Sequence, residues 1–401
     1  MKWCLSIKIR IVCSVVLLIL TLSLLAGCWD SRELNDLALV VGAALDKSKE
    51  DQIMLTVQIL TPRSAGSSQQ GGGGSSTQPQ FVIKSATGQN MADAMLNLQQ
   101  KVSRQIFWGH CEIFIFGESL SKHGNLKDQI DYLNRHPEPR ERANLFVSRG
   151  NAADILETNP TLESYTGNVL QKLNEIHFDE GLTMKDFEQN AILNAEGAIL
   201  PFIDVPPATL KNEESIPSIN GIAIFNKSKM IGNIDIDTSK GLLWIQNQIE
   251  QPTVTATIDK RKTISFKSIR ESTKLTPSIH HSKWSITINV KSEGMVVQNA
   301  SDIDVIYQSE AKKAEQALEK EIKRNIGKAL QKVKNDLETD AFGFGEVFHH
   351  KYPDEWQKIK NNWNHFLPEV SVKVQVKVNI KEPGLTTTPL ELLEKEKEVT
   401  D

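Results

Sequence analysis

The segment VSVKVQVKVNI, residues 370–380, alternates apolar and polar residues without a break. Successive side chains of a β-strand point to opposite faces of a sheet, so the five valines and Ile380 of this segment share one face. The pattern predicts a strand with one face against a core and the other face in water, as in a sheet that is covered on one side only.

A long amphipathic helix is predicted upstream of this strand, from Ser309 to Leu337. Lysine and glutamate fill most of its polar positions, which predicts a solvated side. Its apolar residues recur at intervals of three or four, the spacing of one helix face; they are Leu318, Ile322, Ile326, Ala329, Leu330, Val333 and Leu337.

An aromatic-rich segment joins this helix to the strand. Gly343 and Gly345 permit a tight turn there, because glycine adopts backbone angles that other residues avoid. Core packing beneath a loop is the favoured role for the aromatic side chains, and a docking surface is the alternative, because aromatic residues also anchor interfaces. The residues are Phe342, Phe344, Phe348, Tyr352, Trp356 and Trp363.

The chain between Ile219 and this helix is rich in strand patterns. Residues 219–235 predict a hairpin around the turn at 226–229, and residues 239–249 a brief helix or turn. Further strands are predicted at 253–258, 263–269 and 283–297.

Strands and helices alternate in the N-terminal half. Strands are predicted at 37–45, 52–60, 81–85, 111–116 and 144–148. Helices are predicted at 88–102, with Thr87 as its cap, and at 126–136 and 151–157. This alternation predicts a layered α/β region that closes near Pro206–Pro207.

The predicted fold class is α+β, with several mixed α/β domains. An N-terminal layered α/β region is followed by a β-rich region that contains the long amphipathic helix. The predicted divisions are a signal peptide at 1–27, a domain at 28–206 with a flexible Gly/Ser/Gln-rich loop at 63–80, a domain at 207–385 that is subdivided near 260, and a charged tail at 386–401.

The N-terminus has the layout of a secretory signal. Sixteen mostly apolar residues, 11–26, follow Lys2, Lys8 and Arg10. A bilayer-spanning helix needs about 20 apolar residues, so a permanent transmembrane segment is the weaker alternative. Leu25-Ala26-Gly27-Cys28 is similar to the lipobox of bacterial lipoproteins. It predicts cleavage before Cys28 and a diacylglyceryl group on the Cys28 thiol; ordinary secretion is the other alternative.

Cleavage decides what the cysteines can do. Cys4 and Cys13 leave with the signal peptide and Cys28 carries the lipid, so Cys111 remains alone and no intramolecular disulfide is possible. Cys111 lies in an apolar run and is predicted to be a buried small hydrophobe. The full sequence has 46 basic and 50 acidic residues, and cleavage removes three of the basic ones, so the mature chain is acidic. This charge argues against nucleic-acid binding and against a polybasic membrane-binding surface.

No enzyme signature accompanies this chain. The G-x-S-x-G, H-E-x-x-H, Walker and Rossmann patterns are missing from the sequence, so neither catalysis nor a cofactor is predicted. The pairs His280–His281 and His349–His350 have no third ligand at metal-binding spacing. In RHPEPRER, residues 135–142, Arg135, Arg140 and Arg142 could grip an anion, but a structural or partner-contact role is favoured.

Several blocks resemble spore germination lipoproteins, the C subunits of Ger-type nutrient germinant receptors. The blocks are GCWDSRELNDLALVVGAALD at 27–46, DYLNRHPEPR at 131–140, GIAIFNKSKMIGNID at 221–235, GLLWIQNQ at 241–248, AFGFGE at 341–346 and YPDEWQKIKNNWNHFLPEVSVKVQVKVNI at 352–380. The likeness spans nearly the whole chain, and the expanded loop at 63–80 is its departure.

This resemblance implies a non-enzymatic, lipid-anchored protein on the outer face of the spore inner membrane. The expected partners are two integral membrane receptor subunits, one of them transporter-like, and the membrane itself through the lipid. Trp29, Asp30, Arg32 and Glu33 lie next to Cys28 and are candidate contacts with a partner or with headgroups; a simple solvated tether is equally compatible. The alternative function is an extracytoplasmic solute-binding lipoprotein that delivers a small ligand to a transporter-like partner.

Overall fold

A computed structural model describes residues 14–15, 33–61, 81–160, 162–178, 181–193, 197–207, 215–259 and 262–384. Four of the predicted site residues, Cys28, Trp29, Asp30 and Arg32, lie outside the described residues. The loop at 63–80 and the tail at 386–401 also lie outside them.

The described N-terminal half builds one large sheet. Its strands are β1 (Leu37–Lys47), β2 (Ile53–Leu60), β3 (Phe81–Gly88), β4 (Gln105–Phe107), β5 (Ile113–Gly117), β6 (Asn144–Ser148), β7 (Gly197–Asp204), β8 (Ser218–Asn226) and β9 (Lys229–Asp235). The spatial order is β3-β2-β1-β5-β6-β7-β8-β9, with β4 paired to the start of β1. Strands β1, β5, β6 and β7 run parallel, and the outer strands pair antiparallel.

Helices cover both faces of this sheet. They are α1 (Met91–Gln99), α2 (Glu118–His123), α3 (Leu126–Arg135), α4 (Ala152–Leu156), α5 (Thr166–His177), α6 (Met184–Phe187) and α7 (Ile236–Gln246). Neighbouring residues of β1 accordingly enter two different clusters: Leu45 packs with residues of α1 and α3, and Ala44 with residues of α4 and α5. Burial on both faces explains why β1 reads as a continuous apolar run.

Helix α1 differs from the prediction at both ends. It begins at Met91 and ends at Gln99, and its N-cap is Asn90, whose side-chain oxygen accepts the Asp93 N–H at 3.0 Å. The prediction of Thr87 as the cap is wrong, because Thr87 is paired with Met54 inside β3. Asparagine is among the strongest capping residues, so Asn90 fits this position.

The hairpin predicted at 219–235 is confirmed as β8 and β9, and it extends the first sheet. Strand β8 pairs with β7 on the far side of Pro206–Pro207, so hydrogen bonds cross the predicted division at 206. Residues of helix α7 belong to one hydrophobic cluster that contains residues of the first sheet and of the second half of the chain. The division at 206 itself stays a prediction.

The second sheet contains β10 (Thr253–Asp259), β11 (Lys262–His280), β12 (Lys283–Ala300) and β13 (Ser371–Glu382), in that order. Strand β11 runs eleven residues beyond the predicted segment, through Pro277. Proline is tolerated there because β10 pairs only with residues 262–267, which leaves the rest of β11 as an edge strand. The alternating segment at 370–380 forms β13 and pairs parallel with β12.

The long predicted helix covers one face of this sheet. Helix α8 spans Gln308–Ala329 and continues as a π-helical turn at Leu330–Asp336; α9 (Phe344–Lys351), α10 (Pro353–Ile359) and α11 (Trp363–Phe366) follow. Two glutamates of α8 also reach the free edge of β13. The Val378 N–H donates to Glu319 at 3.1 Å, and the Ile380 N–H donates to Glu315 at 3.0 Å.

The aromatic segment packs as core, as predicted, around one buried carboxylate. Asp340 is fully buried and accepts four hydrogen bonds, from the backbone N–H groups of Phe342, Phe344 and Gly345 and from the Trp363 indole N–H. Complete burial raises the pKa of the Asp340 carboxyl, and the four donors oppose that shift.

Candidate functional site

The predicted tether enters the fold through β1, an interior strand of the large sheet. Glu33 is exposed and is followed by a 3-10 turn at Leu34–Asp36, which leads directly into β1. Cys28 is five positions before Glu33, so it can lie at most about 17 Å from Glu33. The roles of Cys28, Trp29, Asp30 and Arg32 stay predictions.

The tether shares one edge of the sheet with the arginine-rich segment. Strands β1, β5 and β6 are parallel, so they all begin at the same edge. The segments that precede them are residues 33–36, 108–112 and 136–143, and we call this the amino edge. Residues 33–36 lie farthest out, because β5 pairs with β1 only from Gly42 onward. The two latter segments are joined by a hydrogen bond from the Trp108 N–H to the Glu138 carboxylate at 2.9 Å.

The three arginines of residues 135–142 differ in their surroundings. Arg135 ends α3 and makes two hydrogen bonds to Asp131, at 2.8 and 3.1 Å, so its charge is already paired. Arg140 and Arg142 are exposed, and neither guanidinium has a hydrogen-bond or ion-pair partner among the described residues. Arg140 and Arg142 are therefore available for contacts outside the described chain.

A polar cavity of about 750 Å³ lies where β6 and β7 begin. Its volume is within the range of small-molecule sites. Arg142 and Lys185 supply positive charge, and Glu175 and Asp186 supply negative charge. The sequence reasoning missed this cavity because its lining comes from residues between 142 and 248, and no local pattern connects them.

Uncharged amides form another part of the cavity wall. Gln246 donates to the Ala341 carbonyl at 2.6 Å, and its own side-chain oxygen has no partner among the described residues. Asn174 is completely buried behind Gly181, and its amide atoms are likewise unpartnered there. Gly181 has a φ of 75°, and a Cβ on it would lie 2.7 Å from the Asn174 amide nitrogen, so only glycine fits.

Neither Cys111 nor the histidine pairs belong to the lining of this cavity. Cys111 is fully buried, and burial raises the pKa of its thiol far above the usual range, which keeps it protonated and unreactive. No group of three or more His, Cys, Asp and Glu side chains in the described ranges is arranged to hold a metal ion. His349 and His350 stack on each other, with ring centroids 6.0 Å apart.

None of the helices in the described ranges combines the length and the apolar character that a membrane span requires.

Two family matches cover most of the chain. Residues 30–205 match the spore germination protein N-terminal domain, and residues 220–384 match the spore germination B3/GerAC-like C-terminal domain.

Relatives match over nearly their whole length. Spore germination protein KC of Bacillus subtilis (strain 168) is 26% identical over 94% of this chain and 96% of its own. Spore germination protein B3 of the same strain is 25% identical over 89% of this chain and 94% of its own. The crystal structure of the GerBC protein matches with a TM-score of 0.57 and 21% identity, covering 88% of this chain and 100% of that chain; this likeness shows the fold.

Proposed function

Because the chain belongs to the GerAC family of spore germination proteins, we propose that it is the lipid-anchored C subunit of a nutrient germinant receptor. The observation that carries this proposal is the succession of both family domains directly after the Leu25-Ala26-Gly27-Cys28 motif. In this proposal a diacylglyceryl group on Cys28 holds the protein at the outer face of the spore inner membrane.

The protein acts in this proposal as a receptor component without chemistry of its own. Its relatives are spore germination proteins, and their family is not one of known enzymes. Anchoring confines the folded body to the membrane plane and so raises its effective concentration near two integral membrane subunits, one of them transporter-like. The body then supports assembly of the receptor and transmission of the nutrient signal.

The position of the tether supports this role. Strand β1 is flanked by β2 and β5, so a force on the tether acts on an interior strand of the large sheet. The far end of β1 is fixed as well: the buried Asp46 carboxylate accepts the Ala152 and Ala153 N–H groups at 2.7 and 2.9 Å. A short tether on a braced strand orients the body relative to the membrane better than a loose tail would.

The alternative of a solute-binding lipoprotein needs two similar lobes around a cleft. The two sheets of the described chain differ in strand number and order, and the cavity of about 750 Å³ lies beside the first sheet. The receptor subunit is therefore the better supported function.

The test is Cys28→Ala in the native spore-forming host, with Cys13→Ala as the matched control upstream of the cleavage site. We expect Cys28→Ala to leave the inner membrane and to lose the response to nutrients, while germination triggered by dipicolinate stays normal. Cys13→Ala should behave as the parent protein does. Full membrane retention of Cys28→Ala with an uncleaved N-terminus and a normal nutrient response would refute the anchor.

A further inference from the structure

The second sheet has one face that no described element covers. Side chains at even positions of β12 and β13 point to α8; Ile286, Ile288 and Val378 are examples, and each is buried. The odd positions point the other way, and the pairing register extends this face to β11. Thr276, Thr287 and Lys373 lie in one row across it, and Ser272, Lys291 and Lys377 in another.

This open face collects positive charge. Five cationic side chains on it are exposed, and none has an ion-pair partner among the described residues. They are Arg270, Lys274, Lys291, Lys373 and Lys377, and we call this surface the cationic face. Glu293 on the same face is paired with Lys381 at 3.4 Å. Glu271 points to the covered face and accepts the Gln251 N–H at 2.7 Å. The face is therefore strongly positive in a chain whose net charge is −4.

The arrangement of these charges works against folding. Lys291 and Lys377 are direct neighbours across β12 and β13, and like charges in that position repel. Strands lie about 4.8 Å apart and rise about 3.3 Å per residue, so the five cations fit into a patch of about 10 by 20 Å. An anionic surface laid against the patch would relieve the repulsion.

The chemistry around the cations favours a headgroup surface over a protein. Ser272, Thr287 and Gln375, their neighbours on the open face, are polar, and β11, β12 and β13 place no Phe, Tyr or Trp side chain on this face. The exposed apolar residues Ile269 and Val297 lie at its far end. Protein interfaces are usually centred on buried aromatic or arginine side chains and are depleted of lysine. A flat array of exposed lysines instead suits phosphates that are spread over a bilayer.

We propose that the cationic face binds the anionic headgroups of a lipid bilayer. This proposal extends the proposed function, because it gives the anchored body a second contact with the same membrane and hence a fixed orientation. Each lysine or arginine near an anionic surface strengthens binding about fivefold, so three of them account for about a hundredfold.

The experiment uses the purified full chain, reconstituted with vesicles of phosphatidylcholine alone or of phosphatidylcholine with phosphatidylglycerol. Lysines are acylated with an amine-reactive ester, and the rate at each lysine is read by mass spectrometry. With phosphatidylglycerol we expect Lys274, Lys291, Lys373 and Lys377 to react at least about fivefold more slowly. Exposed lysines of α8, Lys312, Lys320 and Lys323, are the internal controls and should not change.

Two further experiments test whether the protection is electrostatic and whether it depends on the cationic face. Salt at about 0.5 M shortens the Debye length to about 4 Å and should remove the protection. The triple variant Lys291→Gln, Lys373→Gln and Lys377→Gln should lose the protection at Lys274. The matched variant Lys312→Gln, Lys320→Gln and Lys323→Gln carries the same change of charge and should keep it.

Equal rates on both vesicles would overturn the proposal. Protection that appears only when the membrane subunits are present, whatever the lipid charge, would also overturn it, in favour of an acidic protein surface. Flotation reports the anchor separately, because an anchored chain floats with either vesicle. A chain without the anchor should float only with vesicles that contain phosphatidylglycerol. The proposed cationic face can therefore be refuted while the proposed anchor is supported, and the anchor can be refuted while the cationic face is supported.

Discussion

Replacement of Asp340 by asparagine tests whether a buried acceptor organises the aromatic core. One carboxylate oxygen accepts the N–H groups of Phe342 and Phe344, each at 3.1 Å, and the other accepts Gly345 N–H at 2.6 Å and the Trp363 indole N–H at 2.7 Å. Asparagine has nearly the same shape, but its amide NH₂ must face two of these donors in either orientation.

The magnitude follows from the two donors that lose their acceptor. A buried polar group without a partner costs about 1–3 kcal/mol, so we expect Asp340→Asn to lower the free energy of unfolding by about 3–4 kcal/mol. Asp340→Ala leaves four donors without an acceptor but also removes a buried charge. We therefore expect it to lower the free energy of unfolding by a similar amount. The matched control is Asp259→Asn at the exposed end of β10, which should cost less than about 0.5 kcal/mol.

The assay is urea unfolding of the purified full chain, followed by tryptophan fluorescence. Trp363 packs against Trp356 and Trp284, with ring centroids 5.0 and 6.1 Å apart, so the signal reports this core. If Asp340→Asn is within about 1 kcal/mol of the parent while Asp340→Ala is far less stable, volume rather than hydrogen bonding holds the segment, and the reasoning is refuted.

Two other outcomes can be checked on the same purified chain. Asp235→Ala removes the N-cap of α7, whose carboxylate accepts the Thr238 N–H at 2.8 Å, and should cost up to about 1 kcal/mol of unfolding free energy. That hydrogen bond lowers the pKa of Asp235, so its stabilisation is complete above pH about 4 and is lost as the pH falls through the lowered folded-state pKa; a stability difference from the parent that persists in stronger acid would contradict this. Cys111, buried with a raised thiol pKa, should resist a maleimide in the folded chain and react only after urea unfolding, with mass spectrometry as the readout; rapid labelling without urea would show that the segment before β5 opens.

Local periodicity predicted most elements where one face is buried. The strand at 370–380 and the helix at 309–337 are confirmed because burial on one side imposes a period on the sequence. The same reasoning assigned nothing to residues 270–280, where the strand lies at an edge and polar side chains dominate. A hydrophobic period appears in the sequence only where one side of an element is buried. A strand that is exposed at its edge and on one face therefore shows little periodicity.

Contacts between distant segments were beyond this reasoning. The hairpin at 219–235 was predicted, yet its place beside β7 depends on a pairing that the hairpin sequence does not encode. The acceptor role of Asp340 could not be predicted either, because one of its donors, Trp363, is 23 residues away. The cavity lining shows the same limit, since side chains from β6, α5, α6 and α7 meet only in the folded chain.

Net charge is a poor guide to membrane contact in a protein built on an open sheet. The negative net charge of this chain argued against a basic membrane-binding surface. Odd and even residues of a strand, however, point to opposite faces of the sheet, and Lys373 and Lys377 lie on the same face. Two more strands in register then add Lys291, Lys274 and Arg270, while many acids of the same region lie on α8, behind the sheet. What an approaching bilayer meets is therefore set by register, and shifting β13 by one residue would bury its lysines and expose its valines.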